Sequence, residues 1–366
     1  MGKVLIVFNH PAPYKVKLFN ELAKTLDLTV IFERDKAKDR NKSFYDSKQY
    51  NFKTVKVKGL KLGNENFVSN GIVKHLKKNR YDLIIMNGYS KFAEMKTIRY
   101  LKHHKIPYVL YINGGIIKEN ESKFKKNLKT KYVSGAAYYL SPDENSNQYL
   151  VYYGANKDKI FNYSYSTIYK REVLPNPFSN DEKRIMRQEA SISDAKIFVS
   201  CGQLIQRKNY LELIKIWKEL DSSYGLFIIG DGKQKHEIQK YIDDNHLSNV
   251  HLLGYMKRSE MFNFYHLSDA FVFPSDEDIY GHVINEALSQ GLPVVSTPNV
   301  NASRKLIKNG YNGYIVEKLH SKQFLDAIEN TLKNDMSKNA IATAYENTIE
   351  IMAEEHIKIL EEIMGK

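Results

Sequence analysis

The sequence predicts an α/β protein of two Rossmann-like, doubly wound domains facing a central cleft. Three observations predict it. Short apolar runs alternate with amphipathic stretches, the pattern of βαβ units in a parallel sheet. The alternation stops at a polar segment near 170–185 that carries Pro175 and Pro177, and then restarts. The length, 366 residues, favours two domains.

The first domain is expected over 1–175. "KVLIVF" (3–8) reads as a strand, "YKVKLFNELAKTL" (14–26) as a helix with Val16, Phe19, Leu22, Ala23 and Leu26 on one face, and "LTVIF" (28–32) as a second strand. "YDLIIMNG" (81–88) is a strand leading into a helix that ends near His104. "IPYVLYINGG" (106–115) and "AAYYLSP" (136–142) are two more strands. After the linker, the second domain is expected over 176–340. Its strands are "AKIFVSCG" (195–202), "YGLFIIGDG" (224–232), "VHLLGY" (250–255), "AFVFPS" (270–275), "LPVVST" (292–297) and "GYIVE" (313–317). Helices are expected from Tyr210, Lys235 and Ser259, and around Glu286. One last helix, from about 336 to 364, is longer than that domain needs. Its 341–366 part is expected to pack back across the domain junction.

Composition limits the function. Lys plus Arg is 55 against 42 Asp plus Glu, a net charge of +13. The first 175 residues hold 33 basic and 15 acidic side chains, whereas the remainder is mildly acidic. A basic half calls for an anionic partner: a membrane surface, a nucleic acid or a phosphorylated substrate. No zinc-finger, helix-turn-helix or RRM signature accompanies it, so no nucleic acid is expected. "SKFKKNLKTKYV" sets Lys123, Lys125, Lys126, Lys129 and Lys131 among Phe124, Leu128 and Tyr132, and Lys15 and Lys17 form a further cluster. Basic helices with apolar anchors suit an anionic bilayer surface. No apolar run reaches the roughly 20 residues of a membrane span, and the run Val4–Val7 is too short for a signal-peptide core. The single cysteine, Cys201, excludes an intrachain disulfide and fits a cytoplasmic location, at the inner face of the plasma membrane if the lysines dock there.

Ligands of open α/β sheets bind beyond the carboxyl ends of the strands, so polar residues just after strands are the candidates. "FPSDEDIYGHVINEALSQGLPVVST" (273–297) follows such a strand. A helix beginning near Gly281 offers the amides of Gly281, His282 and Val283 to an anion. Asp278 lies just before it. Glu286, about one turn on, can accept hydrogen bonds from two adjacent sugar hydroxyls. Asp276 and Asp278 also spell D-x-D, the pattern of a metal-held diphosphate. In "VSCGQLIQRKNYLELIKIW", Gly202 and Gln203 follow a strand, and Arg207 and Lys208 offer positive charge.

These segments resemble the family-four retaining glycosyltransferases of the GT-B fold, notably members that build bacterial surface polysaccharides. Asp278-x7-Glu286 is similar to the family's E-x7-E signature, with Asp in place of the first Glu. The resemblance implies that Asp278 contacts the transferred sugar and Glu286 holds the nucleotide ribose. "GQLIQRKN" resembles G-R-L-x-x-x-K-G, which implies that Lys208 neutralises the donor diphosphate. Gln203 and Asn209 replace the family's Arg and second Gly, and Arg207 supplies further charge. The backbone from Gly254 through Tyr255 to Met256 corresponds to the segment that reads the base. In the first domain, Pro13, Tyr14 and Lys15 match a Pro-Tyr-basic turn. Asn113, Gly114 and Gly115 stand where many members carry a histidine, so acceptor contacts are expected there and no general base is assigned.

The resemblance implies a hexosyl- or N-acetylhexosaminyltransferase. It would take a nucleotide-sugar donor, UDP-linked, and a glycan or lipid-linked glycan acceptor. It implies no metal and no cofactor, and D-x-D then reads as coincidence. A GT-B-fold epimerase and a nucleic-acid-binding protein are the alternatives.

Overall fold

The computed structural model describes all residues except 1, 36–48, 63–65, 119, 194, 318, 320 and 366. The chain forms two compact units. Unit 1 is Met1–Ser166 with Ile349–Lys366, and unit 2 is Thr167–Thr348.

Unit 1 carries β1 (Lys3–Phe8), β2 (Asp27–Phe32), β3 (Lys53–Lys56), the hairpin β4 (Leu60–Leu62) and β5 (Asn66–Val68), then β6 (Leu83–Asn87), β7 (Val109–Tyr111), β8 (Tyr138–Ser141) and β9 (Ile160–Asn162). Seven of these form one sheet, ordered β3-β2-β1-β6-β7-β8-β9, and every neighbouring pair is parallel. Val4 to Val7 are all buried, as expected for a parallel strand covered by helices on both faces. The core joins Leu5 and Val7 of β1 to Ile84 and Met86 of β6, Leu110 of β7, and Ile98 and Leu101 of the helix Phe92–His103.

Unit 2 carries β10 (Lys196–Cys201), β11 (Tyr224–Ile229), β12 (Val250–Gly254), β13 (Ala270–Phe273), β14 (Val294–Ser296) and β15 (Gly313–Ile315). Their order, β12-β11-β10-β13-β14-β15, is again all parallel. Phe198, Ile214, Trp217, Leu226, Ile228 and Val272 lie in its core. Both sheets run outward from their first strand in two directions. The strand order therefore reverses between β1 and β6 in unit 1 and between β10 and β13 in unit 2, and such switch points are where these sheets bind ligands.

Three elements differ from the sequence expectation. The polar stretch taken as linker contains the start of a helix, Asn180–Glu189. Ser179 and Glu182 cap it reciprocally: Glu182 Oε2 accepts from Ser179 N at 2.7 Å and Ser179 Oγ accepts from Glu182 N at 3.3 Å. The single long C-terminal helix is two helices, Ser337–Tyr345 and Ile349–Ile363. The break falls where the Asn347 carbonyl accepts from Asn285 Nδ2 at 2.8 Å instead of continuing the helix. The second of these helices belongs to unit 1 and packs on the helix Pro13–Leu22. Finally, β3, the β4–β5 hairpin and β9 are short strands that the apolar pattern does not mark, and β3 and β9 are partly exposed.

Candidate functional site

The switch point of unit 2 brings two loops together. After β10 the chain passes Gly202 and the exposed Gln203, makes one tight turn at Gln206–Lys208, and enters the helix Tyr210–Trp217 through Asn209. Asn209 has φ 61°, a left-handed conformation that Gly and Asn adopt most readily, which explains Asn where the resembling family has Gly. After β13 comes the acidic loop. The two loops are laced by hydrogen bonds. The Arg207 carbonyl accepts from Asp276 N at 2.9 Å and Ser275 Oγ at 3.1 Å, Arg207 Nη1 donates to the Glu277 carbonyl at 2.7 Å, and Asn209 Nδ2 donates to Asp276 Oδ1 at 2.9 Å.

That lacing places Lys208 against Asp278. Lys208 is buried, its Nζ forms an ion pair with Asp278 Oδ2, and it lies 4.4 Å from the centre of the Phe273 ring. Burial lowers the pKa of this ammonium, and the adjacent Asp278 carboxylate works against that fall. The two halves of the D-x-D are thus separately engaged, Asp276 by Asn209 and Asp278 by Lys208.

The helix His282–Ser289 begins at Gly281 without a side-chain cap. Gly281 has φ 94°, and a Cβ there would lie 2.4 Å from Val300 Cγ1, so the chain reaches this helix start only through glycine. His282 and Val283 form its first turn, where amides lack intrahelical acceptors. Glu286 projects from the next turn. Thr167 Oγ1 donates to its Oε1 at 3.4 Å, and Arg258 Nη2 stands 3.7 Å from the same oxygen. Arg258 also donates to the Thr167 carbonyl at 3.2 and 3.3 Å and lies 3.9 Å from Glu172 Oε1.

Sequence reasoning missed Arg258. Its one signal is position: it opens the helix Arg258–His266 just beyond the carboxyl end of β12. At the end of β12, Gly254 has φ 73° and its carbonyl accepts from Gly230 N at 2.7 Å. Tyr255 is exposed and Met256 half-buried. Cys201 sits at the end of β10, where burial pushes its thiol up to about 12 and the Glu286 carboxylate adds to the shift, so it is no nucleophile at neutral pH.

The unit 1 candidates divide. Pro13 is the first residue of its helix, and the Tyr14 ring meets Tyr165 edge-on at 6.1 Å. Lys15 is not part of a surface cluster: it is fully buried. Its Nζ donates to Tyr111 Oη at 2.6 Å, and Tyr111 Oη lies 3.2 Å from Nε2 of the buried His356. Burial drives the Lys15 pKa far down. Asn113 Nδ2 donates to Asn87 Oδ1 at 3.4 Å, while its own Oδ1 is buried without a hydrogen-bond partner among the described residues. Gly114 follows it with φ 143°. A Cβ on Gly115 would lie 2.4 Å from the Tyr149 ring, so Gly115 is dictated by packing. Tyr132 is core, whereas its helix companions Phe124 and Leu128 are exposed.

The fold, two Rossmann-like units with parallel sheets, is the GT-B fold of glycosyltransferases. Residues 181–347 match the family model described as glycosyl transferases group 1. An uncharacterized glycosyltransferase of Methanocaldococcus jannaschii is 27% identical over 284 residues, covering 69% of this chain and 68% of its own. The Escherichia coli UDP-Gal:alpha-D-GlcNAc-diphosphoundecaprenol alpha-1,3-galactosyltransferase is 31% identical over 156 residues, 39% of each chain. Among solved structures, Anabaena HepE in complex with UDP superposes with a TM-score of 0.79 at 17% identity, covering 98% of this chain and 100% of that one. HepE has also been solved with UDP-glucose. These matches support a glycosyltransferase.

Proposed function

We propose that the protein is a retaining glycosyltransferase that moves a hexosyl or N-acetylhexosaminyl group from a UDP-sugar to a glycan acceptor carried on a lipid. The observation that carries this reading is the ion pair of buried Lys208 with half-buried Asp278 at the switch point of unit 2, beside the uncapped helix start at Gly281 and one turn from Glu286. In this reading the donor diphosphate takes Lys208, Arg207 and the amides of Gly281, His282 and Val283. Asp278 turns to the sugar, and Glu286, steadied by Arg258 and Thr167, accepts from the ribose hydroxyls. The backbone from Gly254 to Met256 meets the base. UDP bound to HepE and the UDP-galactose donor of the Escherichia coli relative support the choice of nucleotide. The diphosphoundecaprenol acceptor of that relative supports a lipid-linked acceptor.

The chemistry follows from charge. As the bond between the anomeric carbon and the diphosphate oxygen breaks, positive charge grows on the sugar ring and negative charge on the leaving diphosphate. Fixed cationic and amide donors stabilise that negative charge more in the transition state than before it, usually the largest single catalytic effect. All the diphosphate partners named are protein groups, and Asp276 and Asp278 already have protein partners. In this reading the reaction needs no metal ion or cofactor. The test is a panel of UDP-sugars with a diphosphoundecaprenol-linked sugar as acceptor, EDTA present, and the product's anomeric coupling constant read by proton NMR. The expected product has the anomeric configuration of the donor. An inverted product, or activity that manganese or magnesium must restore, contradicts the reading.

A further inference from the structure

Unit 1 buries an amine that the proposed chemistry does not use. Lys15 is the third residue of the helix Pro13–Leu22, which follows β1, and its relative exposure is 0%. Its Nζ lies 4.3 Å from the centre of the Tyr111 ring and 4.5 Å from that of Tyr165. It donates to Tyr111 Oη at 2.6 Å, and Tyr111 Oη lies 3.2 Å from Nε2 of His356 on the helix Ile349–Ile363. The other ring nitrogen, His356 Nδ1, lies 2.6 Å from the Met352 carbonyl, which can only accept, so Nδ1 carries a proton. Burial keeps the ring neutral, and Nε2 is then an acceptor. The groups form a chain with one direction: Lys15 donates to Tyr111, Tyr111 to His356, and His356 to Met352.

This chain is anchored at the ligand-binding end of the sheet. Tyr111 is the last residue of β7, and its carbonyl accepts from Gly88 N at 3.2 Å and Asn87 Nδ2 at 3.3 Å, at the end of β6. The next carbonyl, that of Ile112, accepts from Tyr163 Oη at 2.7 Å. Asn113 Nδ2 reaches back to Asn87 Oδ1 at 3.4 Å. The start of the first helix, the ends of β6 and β7 and the C-terminal helix therefore meet at Tyr111. Packing alone does not call for lysine at 15. A methionine would fill similar space without the cost of burying an amine.

We propose that Lys15 is a positioning residue: through Tyr111 it sets the backbone of residues 111–113 beside the switch point of unit 1 and fastens it to the C-terminal helix, and so fixes where unit 1 holds its ligand. Calling that ligand the acceptor rests on the glycosyltransferase reading above.

The test uses the full chain with Lys15→Met, Tyr111→Phe and the double variant. K15M should melt no lower than the wild type, whereas Y111F, which strips the buried amine of its hydrogen bond, should melt lower. Adding K15M to Y111F should restore part of the loss. In K15M, amides of residues 111–115 should exchange with deuterium about tenfold faster or more, while exchange in the unit 2 sheet and UDP affinity by calorimetry stay as in the wild type. With the diphosphoundecaprenol-linked sugar as acceptor, its KM should rise about tenfold with a smaller change in kcat. Wild-type exchange at 111–115 in K15M, a wild-type acceptor KM, or a double variant that melts lower than Y111F overturns the proposal. A wild type that transfers from no UDP-sugar overturns the glycosyltransferase reading instead, and the exchange and melting data then decide the positioning role.

Discussion

Lys208 and Asp278, 70 residues apart in sequence, form an ion pair whose side chains are only 8% and 19% exposed. A diphosphate entering this site has to draw the ammonium away from its carboxylate partner.

That competition makes Asp278→Asn diagnostic. Removing the carboxylate leaves a buried lysine without its counter-charge, and breaking such pairs costs up to about 3–5 kcal/mol, less here because Asp278 is partly exposed. The variant should melt lower than the wild type and gain stability from UDP more steeply. UDP affinity should rise several-fold while transfer falls about a hundredfold, since the proposed function gives Asp278 to the sugar. Calorimetry and a transfer assay check both. A fall in UDP affinity would place Asp278 on the nucleotide instead.

Glu286 and Arg258 should act as a unit. Glu286→Gln removes one of the carboxylate oxygens that two ribose hydroxyls need and should weaken UDP binding by about tenfold. Arg258→Lys loses the planar fork that spans Thr167, Glu172 and Glu286 and should weaken it by a similar factor. The double variant should lose little more than either single one. Fully additive losses would mean that Arg258 does not work through Glu286.

How far this was legible in the sequence depends on the range of the interactions. Runs such as "VLIV" and "FIIG" carry their own burial pattern, so the unit 2 sheet and all but the edge strands β3 and β9 of the unit 1 sheet could be read locally. The placement of Lys208, Asp278 and Glu286 beyond strand ends could be read because they follow apolar runs at short spacings. Arg258 and Glu33 could not, because their importance lies in partners, or missing partners, far away in the chain. Lys15 looked like a surface lysine because nothing near it announces Tyr111, 96 residues on, which makes its burial tolerable. The helix break at Asn347 is set by Asn285, 62 residues earlier. The Ser179–Glu182 cap was the exception: a local S-x-x-E signal masked by two neighbouring prolines.

Stability should depend on pH through His356 and Glu33, in opposite senses. His356 is fully buried, and burial lowers its pKa from 6.5 to about 3. The unfolded chain therefore binds the extra proton first, and stability falls as pH drops from about 6.5 towards 3, at up to about 1.4 kcal/mol per unit. Glu33 is raised from 4.5 to about 8, so its contribution is present below 4.5 and is lost as pH rises through 8. His356→Asn should flatten the fall in melting temperature as pH drops from about 6.5 towards 3, and Glu33→Leu the fall as pH rises from about 4.5 to 8. Unchanged limbs in both would mean that neither burial is as complete as the structure has it.

Docking to a bilayer is a separate expectation. Among the described residues no helix is long and apolar enough to cross a membrane. In unit 1, however, Phe124 is 76% exposed on the lysine-rich helix Lys123–Val133, and Ile117, Leu128, Val151 and Tyr152 are exposed as well. Each lysine near an anionic surface contributes roughly 1 kcal/mol. The protein should co-sediment with phosphatidylglycerol vesicles at low salt and release at high salt, and F124S should reduce binding at both. Equal partitioning to neutral vesicles, or none to anionic ones, would leave these lysines as ordinary surface.

The most direct measurement is calorimetric titration of UDP into the wild type and Lys208→Ala, with folding of the variant confirmed by its melt. Lys208 is the buried cation assigned to the diphosphate, so its removal should weaken UDP binding by at least about tenfold and cost transfer a hundredfold or more. Wild-type UDP affinity and turnover in a folded K208A chain would contradict the placement of the donor diphosphate, and with it the proposed mechanism.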